Sequence, residues 1–174
     1  VNILKSKLPA FAPADDQNPW IDNLKDSLTS AGVTFIDIRD TFTDHKTEDL
    51  YYHTDHHWTT LGAYYAYLQA AAVMGIDTSS DSYDKAPVSQ TFKGTLSAKS
   101  GFRSSETDEI DVFLPNGDNT LSSVVNYVEE QKKSASLYDT SKLNTRDKYA
   151  LFFGGNHAQI KISTPTESNN TLLV

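Results

Sequence analysis

The sequence predicts an α/β fold in which helices flank a mostly parallel sheet, and three observations lead to this prediction. A helix-like stretch runs directly into a strand-like stretch within residues 20–38. A second helix-like stretch follows a histidine-rich run, and the apolar residues 149–153 are typical of a strand in the middle of a sheet. Because 174 residues are enough for one good core and short for two domains, we expect a single domain over residues 1–174.

The first helix and strand are predicted from the spacing of apolar residues. Between Trp20 and Leu28 these residues recur every three or four positions, which is typical of a helix with one buried stripe. Gly32 favours the end of that helix. The β-branched and aromatic residues at 33–38 then predict a short strand.

A second helix is predicted after the histidine-rich run. Thr59 or Thr60 can cap its start, and apolar residues continue to about Met74. Gly75 is a plausible end.

Residues 79–146 are rich in Ser, Thr, Asp and Lys and predict an insertion that carries a small antiparallel sheet. Its strands are expected at 110–114 and 124–128, and the Asn116-Gly117 pair between them suggests a hairpin. Further strands of the main sheet are predicted at 149–153, 159–163 and 171–174.

The run from Tyr51 to Thr60 holds three of the five histidines of the chain. Asp55 and His57 are two residues apart, so in an extended backbone their side chains point the same way, while His56 points to the other face. A carboxylate beside one imidazole nitrogen leaves the other nitrogen able to accept a proton. The spacing therefore indicates a catalytic dyad, although the same residues are equally suited to cap the following helix.

Metal binding is the rival use of this run. The possible ligands lie at adjacent positions of one segment, where their side chains diverge, so one ion would need a further ligand from elsewhere. We therefore predict no metal site and no cofactor. The side chains weighed for such a site are those of His53, Asp55, His56 and His57, with His45 or His157 as the distant ligand.

Composition excludes several other classes of protein. Fifteen basic against 23 acidic residues give a net charge of -8, which disfavours binding to nucleic acid or to an anionic membrane. The absence of cysteine excludes disulfides and thiolate chemistry. No stretch reaches the roughly 18 apolar residues of a membrane span, so membrane attachment is expected only through a segment outside this sequence.

The central run resembles the signature of the bacterial DHHW protein family, which is named for the residues standing here as Asp55-His56-His57-Trp58. It is also similar to the Tyr-x-x-Thr-Asp-x-His-Trp-Thr-x-x-Gly-Ala pattern of the SGNH-hydrolase-like O-acetyltransferases that act in alginate acetylation. The likeness extends to residues 149–157 and 171–174.

This resemblance implies a three-layer α/β/α sandwich of the SGNH-hydrolase type. It implies that Asp55 orients His57, that His57 is the general base, and that His56 has no chemical task. The nucleophilic serine of these acetyltransferases follows a late buried strand, which would be 171–174 here. We therefore expect the serine beyond Val174, and we expect the sequence shown to be an incomplete catalytic unit, inactive by itself.

Four residues are candidates for contacts with the substrate or with an oxyanion: Tyr52, His53, Gly155 and Asn156. A glycine pair after an apolar strand can bring backbone amides close to a ligand, and an Asn side chain beside it can donate to a developing negative charge. A tight turn in which Asn156 bonds its own backbone is the simpler interpretation. His53 stands where these families often have a basic residue.

The function expected from the resemblance is that of an extracytoplasmic serine esterase or O-acetyltransferase of a bacterial cell-surface polysaccharide. Hydrolysis and transfer share the acyl-enzyme, so the motif does not separate them. Two alternatives stay open: a non-catalytic module that binds a glycan or a protein, and a metal-dependent hydrolase. The expected partner is an acetylated glycan; the oligomeric state is not predicted.

Overall fold

The structure, a computed structural model, describes residues 8, 10–101, 105–116 and 124–163. Its α-helices are α1 (Asn18–Ser30), α2 (Arg39–Asp44), α3 (Thr60–Met74) and α4 (Thr95–Lys99). Its strands are β1 (Tyr83–Phe92), β2 (Asp108–Pro115), β3 (Val124–Tyr127), β4 (Lys132–Ser134) and β5 (Ile160–Ser163), and two short 3-10 helices cover Thr140–Asn144 and Lys148–Leu151.

The chain divides into two compact units. The first comprises the described residues of Val1–Leu50 and Leu61–Ser79, and the second comprises Tyr51–Thr60 and the described residues from Ser80 onward. The predicted single domain and the predicted insertion at 79–146 are not tested by this division. None of the described helices combines the length and the apolar character needed to cross a membrane.

The predicted parallel three-layer sandwich is wrong. In the described residues the strands form two small sheets, a pair in the order β1-β2 and a triplet in the order β4-β3-β5, and every strand pairing is antiparallel. The long helices α1 and α3 precede all the described strands along the chain, and the one α-helix between described strands is the five-residue α4. Such segregation is typical of mixed folds with antiparallel sheets, in which short connections join neighbouring strands.

The first strand, predicted at 33–38, is wrong: these described residues form no strand, and the short helix α2 begins directly after them. Asp37 explains this start, because its side chain accepts the backbone N–H of Arg39 at 3.2 Å and the Arg39 guanidinium at 2.6 and 2.9 Å. The hydrogen bonds from Arg39 lower the pKa of Asp37 to about 2. A local side-chain bond of this kind favours a helical turn over an extended strand.

One other predicted strand and one predicted strand pairing are also wrong. The apolar residues 149–153 form a 3-10 helix at Lys148–Leu151 and then turn, with Phe153 at a φ of +60°. Short apolar runs do not distinguish a buried strand from a helical turn. The strands predicted at 110–114 and 124–128 are present as β2 and β3. The predicted hairpin between them is wrong, because β2 and β3 lie in different sheets.

Both predicted helices and the strand predicted at 159–163 are confirmed. The first helix begins at Asn18, and α3 runs from Thr60 to Met74 as expected, with Gly75 at a φ of +69° directly after it. The strand at 159–163 is present as β5. The strand predicted at 171–174 lies outside the described residues.

The core of the second unit forms where β1 and β2 pair. Ile110 and Val112 of β2 alternate with more exposed residues, so one face of the strand is buried. The pairing is irregular between Pro87 and Ser89, where proline cannot donate a ladder hydrogen bond. The buried members of this core are Tyr52, Phe92, Ile110, Val112 and Leu151.

Truncation of Ile110 should destabilise this unit strongly. Ile110 is fully buried, and Ile110→Ala is expected to lower the free energy of unfolding by about 2–5 kcal/mol, because it leaves a cavity in the core. Leu114→Ala, on the same strand but 43% exposed, should cost less than about 1 kcal/mol. Urea unfolding followed by near-ultraviolet circular dichroism measures both values, and equal losses would contradict this description of the core.

Candidate functional site

The histidine-rich run forms a tight loop in the second unit. Tyr51 and Trp58 pair as an isolated antiparallel bridge, and the backbone N–H of Tyr52 donates to the carbonyl of His57 at 3.2 Å. The residues between them therefore curl back on themselves and are not an extended segment. This closure brings side chains together that the sequence argument placed on opposite faces.

Asp55 lies at the centre of this loop and is 3% exposed. Its Oδ1 accepts hydrogen bonds from the backbone N–H of His57 at 3.0 Å and from the His57 ring nitrogen Nδ1. Its Oδ2 accepts the backbone N–H of Thr95 at 2.7 Å and the Thr95 hydroxyl at 3.1 Å. Both carboxylate oxygens are thus held by two donors each.

These donors decide the charge of Asp55. Burial alone would raise its pKa, but the hydrogen bonds from the backbone N–H groups of Thr95 and His57, and from the His57 ring, bring the pKa below its usual value. Asp55 is therefore a carboxylate at neutral pH. The stability that it contributes is present above its ordinary pKa and is lost as the pH falls through the lowered one.

His57 is oriented from several sides. Asp55 accepts a hydrogen bond from Nδ1 of His57, which favours the proton on that nitrogen. Nε2, on the opposite edge of the ring, is then the nitrogen that can accept a proton. The ring stacks on Tyr149 with centroids 4.0 Å apart and an angle of 11° between the planes. Its side chain is 38% exposed, so solvent or a ligand can reach it.

The structure places Asp55 and His57 in direct contact, and it also places His56 where alternation did not. The rings of His56 and His57 lie 4.0 Å apart, and Nδ1 of His56 is 2.7 Å from the Thr95 hydroxyl. The expectation that His56 points to the opposite face is wrong, because it assumed extended backbone in a segment that turns.

Gly94 and Thr95, at the start of helix α4, contact the loop and were not among the predicted site residues. A Cβ atom on Gly94 would lie 2.2 Å from the Cβ of Asp55, so only glycine fits at this contact. The backbone N–H of Gly94 donates to the Thr54 hydroxyl at 3.0 Å, and that of Ser97 donates to the Thr54 carbonyl at 3.1 Å. Together with Thr95, these contacts fix the start of α4 against the loop. No spacing signal in the sequence links these residues to the run at 51–60.

A second buried carboxylate, Asp108, was also missed. It is 6% exposed and accepts the backbone N–H groups of His53 and Thr54 at 2.9 and 2.8 Å, as well as the Thr54 hydroxyl. Asp108 shares the buried face of β2 with Ile110 and Val112. The strand was predicted at 110–114; extended back by two residues, its alternation places Asp108 on the same face as Ile110 and Val112, and this was the available signal.

The other candidates for substrate contacts are placed differently. Tyr52 is 5% exposed and packs edge-on against Phe92, with ring centroids 5.2 Å apart. Burial raises the pKa of its hydroxyl. This position makes Tyr52 an anchor of the loop in the core. His53, by contrast, has a side chain that is 67% exposed.

Gly155 and Asn156 lie in a turn after the second 3-10 helix. The backbone N–H of Gly155 donates to the carbonyl of Phe152 at 3.3 Å, so this amide is engaged within the turn. Both Gly154 and Gly155 have a positive φ, which explains the glycine pair. Asn156 is exposed. The structure shows no contact of Asn156 with His57, so its role as an oxyanion donor stays a prediction.

His157 has a partner of its own. Its Nδ1 lies 2.6 Å from a carboxylate oxygen of Glu130 and its Nε2 lies 2.9 Å from the carbonyl of Phe153. Two acceptors on one imidazole favour the doubly protonated ring, and the hydrogen bond to Glu130 raises the pKa of His157.

Three neighbouring side chains have the composition of a metal site. One donor atom from each of Asp55, His56 and His57 lies within 4.8 Å of the others. No metal site was predicted, because adjacent side chains on an extended segment diverge. The segment turns instead, so the three donor atoms lie close together. The carboxylate, however, already accepts four hydrogen bonds, and a metal ion at Oδ1 would displace donors from it.

Comparison with known proteins identifies a family and a fold. A family model described as DHHW protein matches residues 26–174. The crystal structure of a DHHW family protein from Eubacterium siraeum is similar, with a TM-score of 0.62 and 20% sequence identity. The likeness covers 91% of this chain and 55% of the other, so this chain spans about half the length of that protein. No curated protein matches the chain.

Substitution of Gly94 should disturb Asp55 before it disturbs the rest of the unit. Gly94→Ala forces the loop and α4 apart, because the new methyl group overlaps the Asp55 side chain. We expect the imidazole signals of His57 in nitrogen-15 NMR spectra to shift. Gly32→Ala has open space around it and serves as the control; a positive φ of +77° makes it cost about 1 kcal/mol, yet it should leave these signals in place. Unmoved His57 signals in Gly94→Ala would contradict the described contact.

The His157–Glu130 pair should stabilise the protein only at lower pH. Because the folded pKa of His157 is raised above 6.5, its contribution is present below that value and is lost as the pH rises through the raised one. The difference in unfolding free energy between wild type and His157→Gln should therefore be largest near pH 5.5 and shrink toward about pH 9. Glu130→Gln should show the same trend, and a difference that does not depend on pH would refute this pairing.

Proposed function

The chain belongs to the DHHW protein family, and we propose that Asp55 and His57, which stand in the motif that names it, are the carboxylate and the general base of an acyl-ester hydrolase or O-acetyltransferase. The observation that carries this proposal is the contact between Asp55 and Nδ1 of His57, which directs Nε2 away from the carboxylate. An imidazole held in this way is the base that activates a hydroxyl nucleophile in acyl transfer.

The reaction follows from that arrangement. A serine hydroxyl gives its proton to Nε2 of His57 as its oxygen attacks the acetyl carbon, and the bond from that carbon to the donor alcohol then breaks. The departing alcohol takes the proton from His57, which leaves an acetyl-serine. Asp55 stabilises the positively charged imidazole between these two proton transfers. Water or a sugar hydroxyl reverses the sequence and receives the acetyl group.

The proposed reaction requires a nucleophilic serine. Among the described residues, the hydrogen bonds of His57 go to Asp55 and Tyr52, and no serine hydroxyl is bonded to its ring. Ser97 lies on α4, where its backbone N–H donates to Thr54. We keep the serine expected beyond Val174 as part of the proposal.

The substrate is proposed from the local motif alone. The Asp-x-His-Trp-Thr sequence followed by Gly62-Ala63 is similar to that of the alginate-type O-acetyltransferases. This likeness concerns a few residues around the dyad and supports acyl chemistry on a glycan. It carries no argument about the fold, which differs from theirs. We propose an acetylated cell-surface or extracellular polysaccharide as substrate, and accordingly an extracytoplasmic location.

One observation favours a second candidate, a metal-dependent hydrolase. The donor atoms of Asp55, His56 and His57 converge, and a divalent metal bound there would activate water for attack on an ester. Metal analysis of the purified full-length protein separates the two candidates. Stoichiometric zinc or another transition metal, with activity lost on chelation and restored by that metal, would replace the dyad proposal.

Removal of the base should abolish ester cleavage. In the full-length protein His57→Ala is expected to lower the rate of nitrophenol release from 4-nitrophenyl acetate by about 10²- to 10⁴-fold, the usual contribution of general acid–base catalysis. Asp55→Asn should lower it at least about tenfold, because the amide no longer fixes the tautomer of His57.

His56 and His45 provide the comparison. His56→Gln removes the neighbouring ring that is bonded to Thr95, and we expect a loss of less than about tenfold. His45 lies in the first unit with its Nδ1 2.6 Å from Glu48, so His45→Gln removes another carboxylate-bound imidazole as a control for nonspecific effects. Equal losses in His57→Ala and His45→Gln would contradict the assignment, as would full activity in His57→Ala.

A further inference from the structure

The loop carries a second imidazole held by a buried carboxylate. Nδ1 of His53 lies 3.2 Å from Oδ1 of Asp108, and the same oxygen accepts the backbone N–H of His53 at 2.9 Å. This repeats the pattern of Asp55 with His57, in which one carboxylate oxygen also takes both the backbone and the ring donor. The two pairs stand on one loop that is closed between Tyr52 and His57.

In the second pair the carboxylate is buried and the imidazole is exposed. Asp108 is almost fully buried and belongs to β2, so the strand fixes the position of the carboxylate. The Thr54 hydroxyl joins the two pairs, because it donates to Asp108 and accepts the N–H of Gly94, the neighbour of Thr95 that holds Asp55. The His53 side chain is 67% exposed against 38% for His57, so it is the more accessible of the two rings.

The tautomer sets the chemistry of this ring. A carboxylate on Nδ1 favours the proton there, and Nε2 at the opposite edge is then a hydrogen-bond acceptor. Sugar hydroxyls are donors that suit such an acceptor. The hydrogen bond from the backbone N–H of His53 to Asp108 would be enough to close the loop. The second contact, from the His53 ring, orients the exposed imidazole.

We propose that His53, positioned by Asp108, binds a hydroxyl of the acceptor glycan beside His57, so that the acetyl group passes to a sugar and not to water. The proposal rests on the function proposed above. One acceptor hydroxyl donates a hydrogen bond to Nε2 of His53, and no proton is transferred there. A neighbouring hydroxyl attacks the acetyl-serine and gives its proton to Nε2 of His57. The bond from the acetyl carbon to the serine oxygen breaks, and that oxygen takes the proton back from His57.

The partition of the acetyl group between sugar and water tests the proposal. The full-length protein is given 4-nitrophenyl acetate as donor and cellotriose as acceptor, and the ratio of acetylated cellotriose to free acetate is measured by mass spectrometry and acetate assay. His53→Gln should lower that ratio at least about fivefold, the effect of losing one neutral hydrogen bond. His45→Gln, which removes an imidazole bonded to Glu48 in the first unit, should leave the ratio unchanged.

The outcomes separate this proposal from the one on which it rests. If His53→Gln lowers transfer and hydrolysis equally, the ratio stays constant and the acceptor role is refuted while the dyad stands. If the wild type cleaves no ester, the proposed function fails, and a titration of the nitrogen-15-labelled protein with cellotriose decides the binding role alone. A saturable shift of the His53 ring signal, lost in His53→Gln, would support the subsite, and no shift would overturn it.

Discussion

Burial of the Asp55 carboxylate is the constraint on which the rest of the site depends. An ionised carboxylate removed from water costs several kcal/mol unless donors replace the lost hydration. Here four donors from His57 and Thr95 replace it. The loop must therefore close so that the N–H and ring of His57 reach one oxygen, and α4 must approach so that Thr95 reaches the other. Glycine at position 94 is a consequence of that approach, because a Cβ atom there would overlap the side chain of Asp55.

The second carboxylate shows how the sheet supports the loop. Asp108 occupies a position on β2 that alternation assigns to the core, and its neighbours on that face, Ile110 and Val112, are buried. It accepts backbone N–H groups that a closed loop cannot pair internally. The strand thus supplies apolar side chains to the core and an acceptor to the loop. At the end of the loop, Thr60 donates from its hydroxyl to the carbonyl of Asp111 at 2.6 Å, so β2 holds this end of the loop as well.

Local patterns in the sequence predict the elements that depend on local physics. The helix at Thr60–Met74 is indicated by Thr59 or Thr60 as a candidate N-cap, by apolar residues along its length and by Gly75 directly after it, and these signals agree. The contact of Asp55 with His57 follows from a separation of two residues. The residues that support this contact, Gly94, Thr95 and Asp108, are 39 or more positions away, and a single sequence holds no record of which distant segments meet. The sheet was mispredicted for the same reason, because strand pairing is a long-range property.

A short motif and a whole fold carry different information about function. The resemblance to acetyltransferases rests on an Asp-x-His-Trp-Thr sequence, which fixes the relation of one carboxylate to one imidazole and requires only a tight loop. Such a constellation can be built on different folds, since the chemistry depends on the positions of a few atoms. The antiparallel sheets therefore exclude the SGNH sandwich, while the contact of Asp55 with His57 is present on this fold. On the same loop, the exposed His53 with its buried carboxylate Asp108 is a feature that an isolated carboxylate–imidazole pair does not require.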